Sequence, residues 1–210
     1  MDILKEVTGL IHIGANVGQE AELYAQHNLD VIWVEPIPNV FDRLKQNIAL
    51  YPKQVALEAL VTDKDDEEYT LRIANNTGAS SSIYDLKDHR DIWPDIHYVD
   101  NLQKKSVTLP TLLKIQHIDF SKYQMLVLDT QGSELLVLKG AKQIINQFKA
   151  IKTEVADFEA YKDGCVLDDM IRFMQENGFG EVERIPFATH PTKGNYFDIT
   201  YRKLDVSEHK

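Results

Sequence analysis

Short apolar runs alternate along this chain with stretches whose apolar residues recur at helical spacing. Residues 10–13 form an apolar run suited to a buried central strand, and residues 20–26 carry helical spacing. Residues 31–35 predict a second strand, after which Pro38 opens a helix with Val40, Leu44 and Ile48 on one face. A third strand is expected over 55–61. A fourth, over 123–129 (Tyr-Gln-Met-Leu-Val-Leu-Asp), leads through Gly132 into a helix over 134–147. Residues 150–155 give a fifth strand, and a helix over 167–177 stops at Gly178, a left-handed C-terminal cap. The tail reads as an antiparallel pair, 181–187 and 196–202, around a turn containing Pro and Gly. Strands alternating with helices imply an α/β protein, its mostly parallel sheet covered on both faces.

The middle of the chain, about 64–108, breaks this rhythm. Residues 68–73 alternate like an exposed strand, 74–82 (Ala-Asn-Asn-Thr-Gly-Ala-Ser-Ser-Ser) form a polar loop of small residues, and 85–100 mix charges with Trp93, His97 and Tyr98. With too few aliphatics for a core of its own, this segment reads as an insertion over the top of the sheet. Residues 1–210 then make a single domain.

Composition narrows the partners. The 210 residues are 43% hydrophobic, enough for one substantial core, and 23 basic against 33 acidic side chains leave a net charge of −10. Such a balance argues against a nucleic-acid backbone as the main partner. No apolar stretch approaches spanning length, so membrane insertion is not expected, and the start of the chain lacks a signal-peptide layout. The one cysteine, Cys165, excludes an internal disulfide framework and suits a reducing compartment; a cytoplasmic location is expected.

The chemistry concentrates where the first strand meets its turn. Leu10–Glu20 reads Leu-Ile-His-Ile-Gly-Ala-Asn-Val-Gly-Gln-Glu, and the second strand ends on Glu35-Pro36. In α/β sheets a small-residue turn lets a nucleoside approach the backbone, and an acid ending the next strand holds ribose hydroxyls. A dinucleotide fold asks for Gly-x-Gly-x-x-Gly. Here Gly14, Asn16 and Gly18 follow at two-residue intervals, and Gln19 stands where the third glycine belongs. That misfit argues against a nicotinamide-dependent oxidoreductase. A nucleoside-binding module without catalysis is the other alternative.

Further segments carry a family resemblance. Ile13-Gly-Ala-Asn-Val-Gly18, Glu35-Pro-Ile-Pro-Asn-Val-Phe41 with Leu44 and Asn47, Leu128 through Ala141, Lys152-Thr-Glu-Val155 and Gly178-Phe179 resemble FkbM-family methyltransferases, in family order over about 8–180. The resemblance implies a Rossmann-like class I methyltransferase fold with seven strands and methyl transfer from S-adenosylmethionine. The acceptor it implies is a hydroxyl oxygen on a sugar or a natural product. Expected cofactor contacts are Gly14, Ala15, Asn16, Gly18, Gln19, Glu35, Pro36 and, ending strand three, Ala59 and Leu60. Two positions depart from the family pattern. His12 stands where many methyltransferases carry an acid for the cofactor's amino group, leaving Glu20 as a replacement or simply a helix-start acid. Gln131 replaces a common Glu; its amide can orient a group but cannot act as a base.

A sugar hydroxyl must lose its proton as it attacks, which calls for a carboxylate or histidine within hydrogen-bond reach. Asp129, ending strand four, is the first candidate base and a further cofactor contact; the alternative is a cap for the next turn. Glu154, ending strand five, follows the same logic. His190, in the last turn, is an alternative base or an exposed turn histidine. Asp129 and Glu154, with Asp157 as a third ligand, could instead hold Mg²⁺ or Mn²⁺. Ser80, Ser81, Ser82 and Gln131 are candidate contacts to the acceptor, expected to be a sugar or glycan, for example a deoxyhexose such as rhamnose. Trp93, His97 and Tyr98 form either a stacking wall for a pyranose or a packed cluster under the insertion. Trp33 reads as core and Cys165 as structural. A homodimer is a candidate assembly.

Overall fold

The computed structural model describes residues 3–204. In chain order they form β1 (Gly9–Ile13), α1 (Ala21–Gln26), β2 (Asp30–Glu35), α2 (Pro38–Ile48), β3 (Gln54–Glu58), β4 (Leu60–Val61), β5 (Glu68–Ala74) and α3 (His89–Ile92). Then follow β6 (Tyr98–Val107), α4 (Leu109–Ile115), β7 (Met125–Leu128), α5 (Glu134–Gly140), β8 (Ala150–Ala156), α6 (Leu167–Glu176), β9 (Phe179–Thr189) and β10 (Asn195–Lys203).

Seven strands make the main sheet, in the order β3-β2-β1-β7-β8-β10-β9. The first five are parallel, and β10 and β9 run antiparallel. This is the expected α/β architecture with its antiparallel tail. Period-two alternation sorts the side chains to two faces. Ile11, Ile32, Leu126, Leu128, Ile151 and Ile199 pack beneath α4, α5 and α6. Leu10, Val31, Trp33, Met125 and Val127 face α1 and α2, where Leu44 and Ile48 of α2 are buried as its helical spacing predicts, while Val40, also buried, packs with Ile37 and Leu71. The strand order reverses between β1 and β7, the place where open α/β sheets bind ligands beyond their carboxyl ends.

Three local readings change. The strand expected over 55–61 is two strands. β3 ends at Glu58 on the sheet's edge, and beyond Ala59 the chain pairs Leu60 and Val61 with β6 in a separate three-stranded sheet. There it packs so closely on the end of α5 that a Cβ on Gly140 would overlap the Thr62 carbonyl oxygen. The helix expected over 134–147 is α-helical only to Gly140, with a single 3-10 turn over Ile145–Gln147. Finally, α4 stands where no helix was predicted. Thr108 caps it, its side chain accepting the Thr111 N–H, with Pro110 in the first turn.

Within the segment about 64–108, β5 and β6 pair antiparallel. Tyr84, Ile92, Trp93, Ile96 and Tyr98 pack on Phe158, Tyr161 and Tyr196. The Tyr98 hydroxyl donates to the Tyr84 carbonyl at 2.7 Å, and the Trp93 ring lies 5.3 Å from that of Tyr196. Trp93 and Tyr98 therefore belong to a packed cluster, while His97 folds back on the Asp95 carbonyl at 3.0 Å.

Candidate active site

The turn after β1 is built by backbone groups. The Gly14 and Ala15 N–H groups both donate to the Val34 carbonyl, at 3.0 and 3.1 Å, tying the turn to β2. Gly14 has φ +82°, and a Cβ there would overlap the carbonyl oxygen of Asp129. Only glycine meets both conditions. Gly18 (φ +74°) lets the Leu44 side chain of α2 approach to 2.7 Å of where its Cβ would lie. Asn47 of α2 donates to the Val17 carbonyl at 2.8 Å, holding the turn from outside.

Glu35 is buried at the end of β2. One carboxylate oxygen accepts the Asn16 N–H and the other the Ile37 N–H, each at 2.9 Å. Burial pushes its pKa up to about 7 against those two hydrogen bonds. A crevice opens here, lined by Gly14, Glu35, Pro36, Ala59, Leu60 and Asp129 among others. Ile37, Leu71 and Ile83 give it apolar walls, and Gly78, Ala79 and Ser81 of the polar loop cover it. Thr130 also lines it, with a buried hydroxyl that has no hydrogen-bond partner.

A second constellation sits at the ends of β7 and β8. The Gln131 amide nitrogen donates to Asp129 Oδ1 at 2.5 Å and lies 3.5 Å from Glu154 Oε1. Tyr161 donates its hydroxyl to the Gln131 amide oxygen at 2.5 Å, fixing which way the amide points. Burial raises the pKa of Asp129 to about 6, opposed by the Gln131 hydrogen bond. Glu154 is raised well above the usual carboxylate range, by burial first and then by the Asp129 charge. Each carboxyl's charge disfavours ionisation of the other, so the two act as a pair. Glu134 braces the turn, accepting the backbone N–H groups of Thr130 (2.8 Å) and Gly132 (3.0 Å).

A polar cleft lies beside the crevice, and Asp129 lines both. Glu20 and Glu154 face this cleft, so Glu20 is not among the crevice residues. His12 forms its floor. Buried and stacked on Trp33 at 4.9 Å, with Tyr24 Oη 3.3 Å from Nδ1, it has a pKa pushed down to about 3 by burial and stays neutral.

Several other candidates have different tasks. His190 is buried, not exposed: Nδ1 accepts the Thr192 and Lys193 N–H groups, both at 3.1 Å, so the Nε2–H faces Asp91 at 2.9 Å. Both ring nitrogens are engaged in holding the β9–β10 turn, leaving none to act as a base. Asp157 is drawn to that turn too, Oδ1 accepting the Asn195 N–H at 2.7 Å. The three-carboxylate metal set is therefore not assembled. Among the described residues no group of three or more His, Cys, Asp or Glu is placed to hold a metal. Gln19 is exposed outside the crevice, and the Ala15 side chain is core. The three serines shape their loop: Ser80 accepts from Asn76, Ser81 from the Ala74 N–H, and Ser82 donates to the Gln131 carbonyl at 2.6 Å. Reasoning from sequence missed Tyr161 and Glu134. The second had a legible signal, an acid opening the helix four residues after Thr130; the first had none.

The Methyltransferase FkbM domain model matches residues 12–180, most of the chain, including the glycine turn, Glu35, Asp129, Gln131 and Glu154. The chain belongs to the FkbM methyltransferase family. Solved structures with the same fold include three methyltransferases. Magnesium protoporphyrin IX methyltransferase from Synechocystis PCC 6803, with bound SAM, has a TM-score of 0.51 at 9% identity, covering 92% of this chain and 69% of that one. The N-methyltransferase NodS from Bradyrhizobium japonicum WM9, with S-adenosylhomocysteine, has 0.51 at 10% identity, covering 95% and 79%. The 1,6-didemethyltoxoflavin-N1-methyltransferase from Burkholderia thailandensis has 0.50 at 11% identity, covering 97% and 76%. No curated protein matches the chain. In this FkbM methyltransferase no helix among the described residues is long and apolar enough to cross a membrane.

Proposed function

We propose that this FkbM methyltransferase transfers a methyl group from S-adenosylmethionine to a hydroxyl oxygen of a sugar. The observation that carries the reading is the meeting, at Asp129, of a crevice lined by the glycine turn and Glu35 with two carboxyls, Asp129 and Glu154, gathered around the Gln131 amide. The crevice suits the cofactor in three ways. In this reading Glu35 would hold the ribose hydroxyls, Ile37, Leu71 and Ile83 would flank the flat face of adenine, and the unpartnered buried Thr130 hydroxyl would meet the polar tail. S-adenosylmethionine, when bound, supplies a methyl group on a sulfonium that keeps the bonding electron pair as the methyl leaves.

The protein's part is positioning and proton removal. Crevice walls and the polar-loop cover hold one reactant, and the ends of β7 and β8 present carboxyls to the other. As the acceptor oxygen bonds the methyl carbon, its proton passes to the Asp129–Glu154 pair, whose raised pKa values suit a base working near neutrality. The Gln131 amide, lacking basicity, steadies that pair. An N-methyl acceptor would bring its own lone pair and need the carboxyl pair less, which favours the hydroxyl reading.

The test combines binding with turnover. At one hundred times its dissociation constant, S-adenosylhomocysteine should raise the melting temperature by about 5–10 °C. NAD should leave it unchanged, and labelled methyl should reach a glycoside but not an amine. Stabilisation by NAD, or transfer to amines alone, contradicts the proposal.

A further inference from the structure

The polar cleft beside the crevice has no part in holding a nucleoside, yet it reaches the same reactive edge. It opens on the α1 side of the sheet, where Lys152 and Glu154 of β8 and Asp198 of β10 project together. Asp129 lines both cavities, and its Oδ1 is taken by Gln131, which leaves the second oxygen for a ligand. Lys152 is already paired with Asp198 at 2.9 Å, and His12 below is neutral. Glu20, Asp129 and Glu154 are the other carboxyls, so among the described residues the one cation lining the space, Lys152, is already paired. At its rim stands Phe187, 47% exposed, a large aromatic ring left open to solvent.

We infer that this cleft is the acceptor subsite and selects a non-anionic sugar, whose C–H face rests on Phe187 and whose hydroxyls donate to the carboxyls. The inference rests on the proposed methyl transfer and adds to it a location and a rule of selection. An aromatic face combined with carboxylate acceptors is what a hydroxylated ring with one apolar side requires. A uronic acid or sugar phosphate would bring a negative charge beside these carboxyls while the Lys152 ammonium is already held by Asp198, a like-charge juxtaposition that disfavours it.

The experiment offers three probes to the full chain with labelled S-adenosylmethionine: methyl rhamnoside, methyl glucoside and methyl glucuronide. Wild type should use at least one neutral glycoside with kcat/KM about 100-fold above the glucuronide. Phe187→Ala should raise the KM for that glycoside about fivefold while S-adenosylhomocysteine affinity stays the same. Equal use of the glucuronide overturns the inference, as does an unchanged KM in Phe187→Ala. Weakened S-adenosylhomocysteine binding in that variant overturns it too, because the cleft would then hold the cofactor. Each of these leaves the proposed transfer standing. Methylation of none of the three glycosides by a wild type that binds S-adenosylhomocysteine defeats both.

Discussion

At the ends of β1 and β2 the site is held by backbone groups, whereas at the ends of β7 and β8 side chains hold one another. On the first side, Gly14 and Ala15 bond to Val34, and Glu35 is pinned by two N–H donors within two elements of the chain. On the second, Asp129 and Glu154 reach their geometry through Gln131, and Gln131 through Tyr161, thirty residues away. Backbone positions are tolerant of side-chain change except where space or φ forbids it. A relay of side chains depends on every member. The crevice side is therefore fixed by the main chain, and the carboxyl side by a relay that any one side chain can undo.

The seam between the two sides is the most fragile point. Gly14→Ala puts a methyl onto the Asp129 carbonyl oxygen at φ +82° and should part β1 from β7. We expect about 2–4 kcal/mol of destabilisation in denaturant unfolding, with S-adenosylhomocysteine affinity lost beyond about 100-fold by calorimetry. A normal affinity would show that the turn is not the fixture described.

The acceptor side should show itself in pH. An acid with a raised pKa becomes a base only above that value, so kcat/KM should climb with pH through about 6 and level off above it. Below that point the rate should fall about tenfold per pH unit. A flat profile from pH 5 to 8 would remove the carboxyl pair from proton transfer. The cofactor side should answer differently. Glu35→Gln sets an NH₂ against one of the two backbone N–H donors and weakens the acceptor of ribose hydroxyls, so cofactor affinity should fall at least about tenfold, with kcat retained at saturation.

The smallest effect separates a relay from a packing contact. Tyr161→Phe keeps the ring and removes only the hydroxyl on Gln131. We expect kcat to drop about fivefold, with the pH midpoint displaced and cofactor affinity unchanged. A lower melting temperature with an unaltered pH profile would mean that Tyr161 only packs.

The same contrast explains what was legible in the sequence. Glycine spacing, the acid after an apolar run and the 3.6-residue spacing of Val40, Leu44 and Ile48 are local signals, and β1, β2, α2, β7 and α6 followed from them. The seven-stranded, mostly parallel sheet with its antiparallel tail came from these together with the family resemblance. Where geometry is set between distant segments, sequence said less. The break at Ala59 depends on Leu60 and Val61 finding β6. His190 looked like a loop base because nothing nearby reveals that Asp91, ninety-nine residues earlier, takes its ring nitrogen. Asp157 was grouped with Asp129 and Glu154 by strand position, but its carboxylate turns to the backbone of Asn195. The cap of α4, Thr108 with Pro110 following, was readable and was passed over as part of the insertion's end.

The central claim is that cofactor holding and proton removal are done by different groups meeting at Asp129. Asp129→Asn, assayed for methyl transfer to a neutral glycoside and for S-adenosylhomocysteine binding in the same preparation, tests it directly. The account predicts turnover lowered by at least about 100-fold, with the dissociation constant within about threefold of wild type. Turnover near the wild-type rate would contradict it.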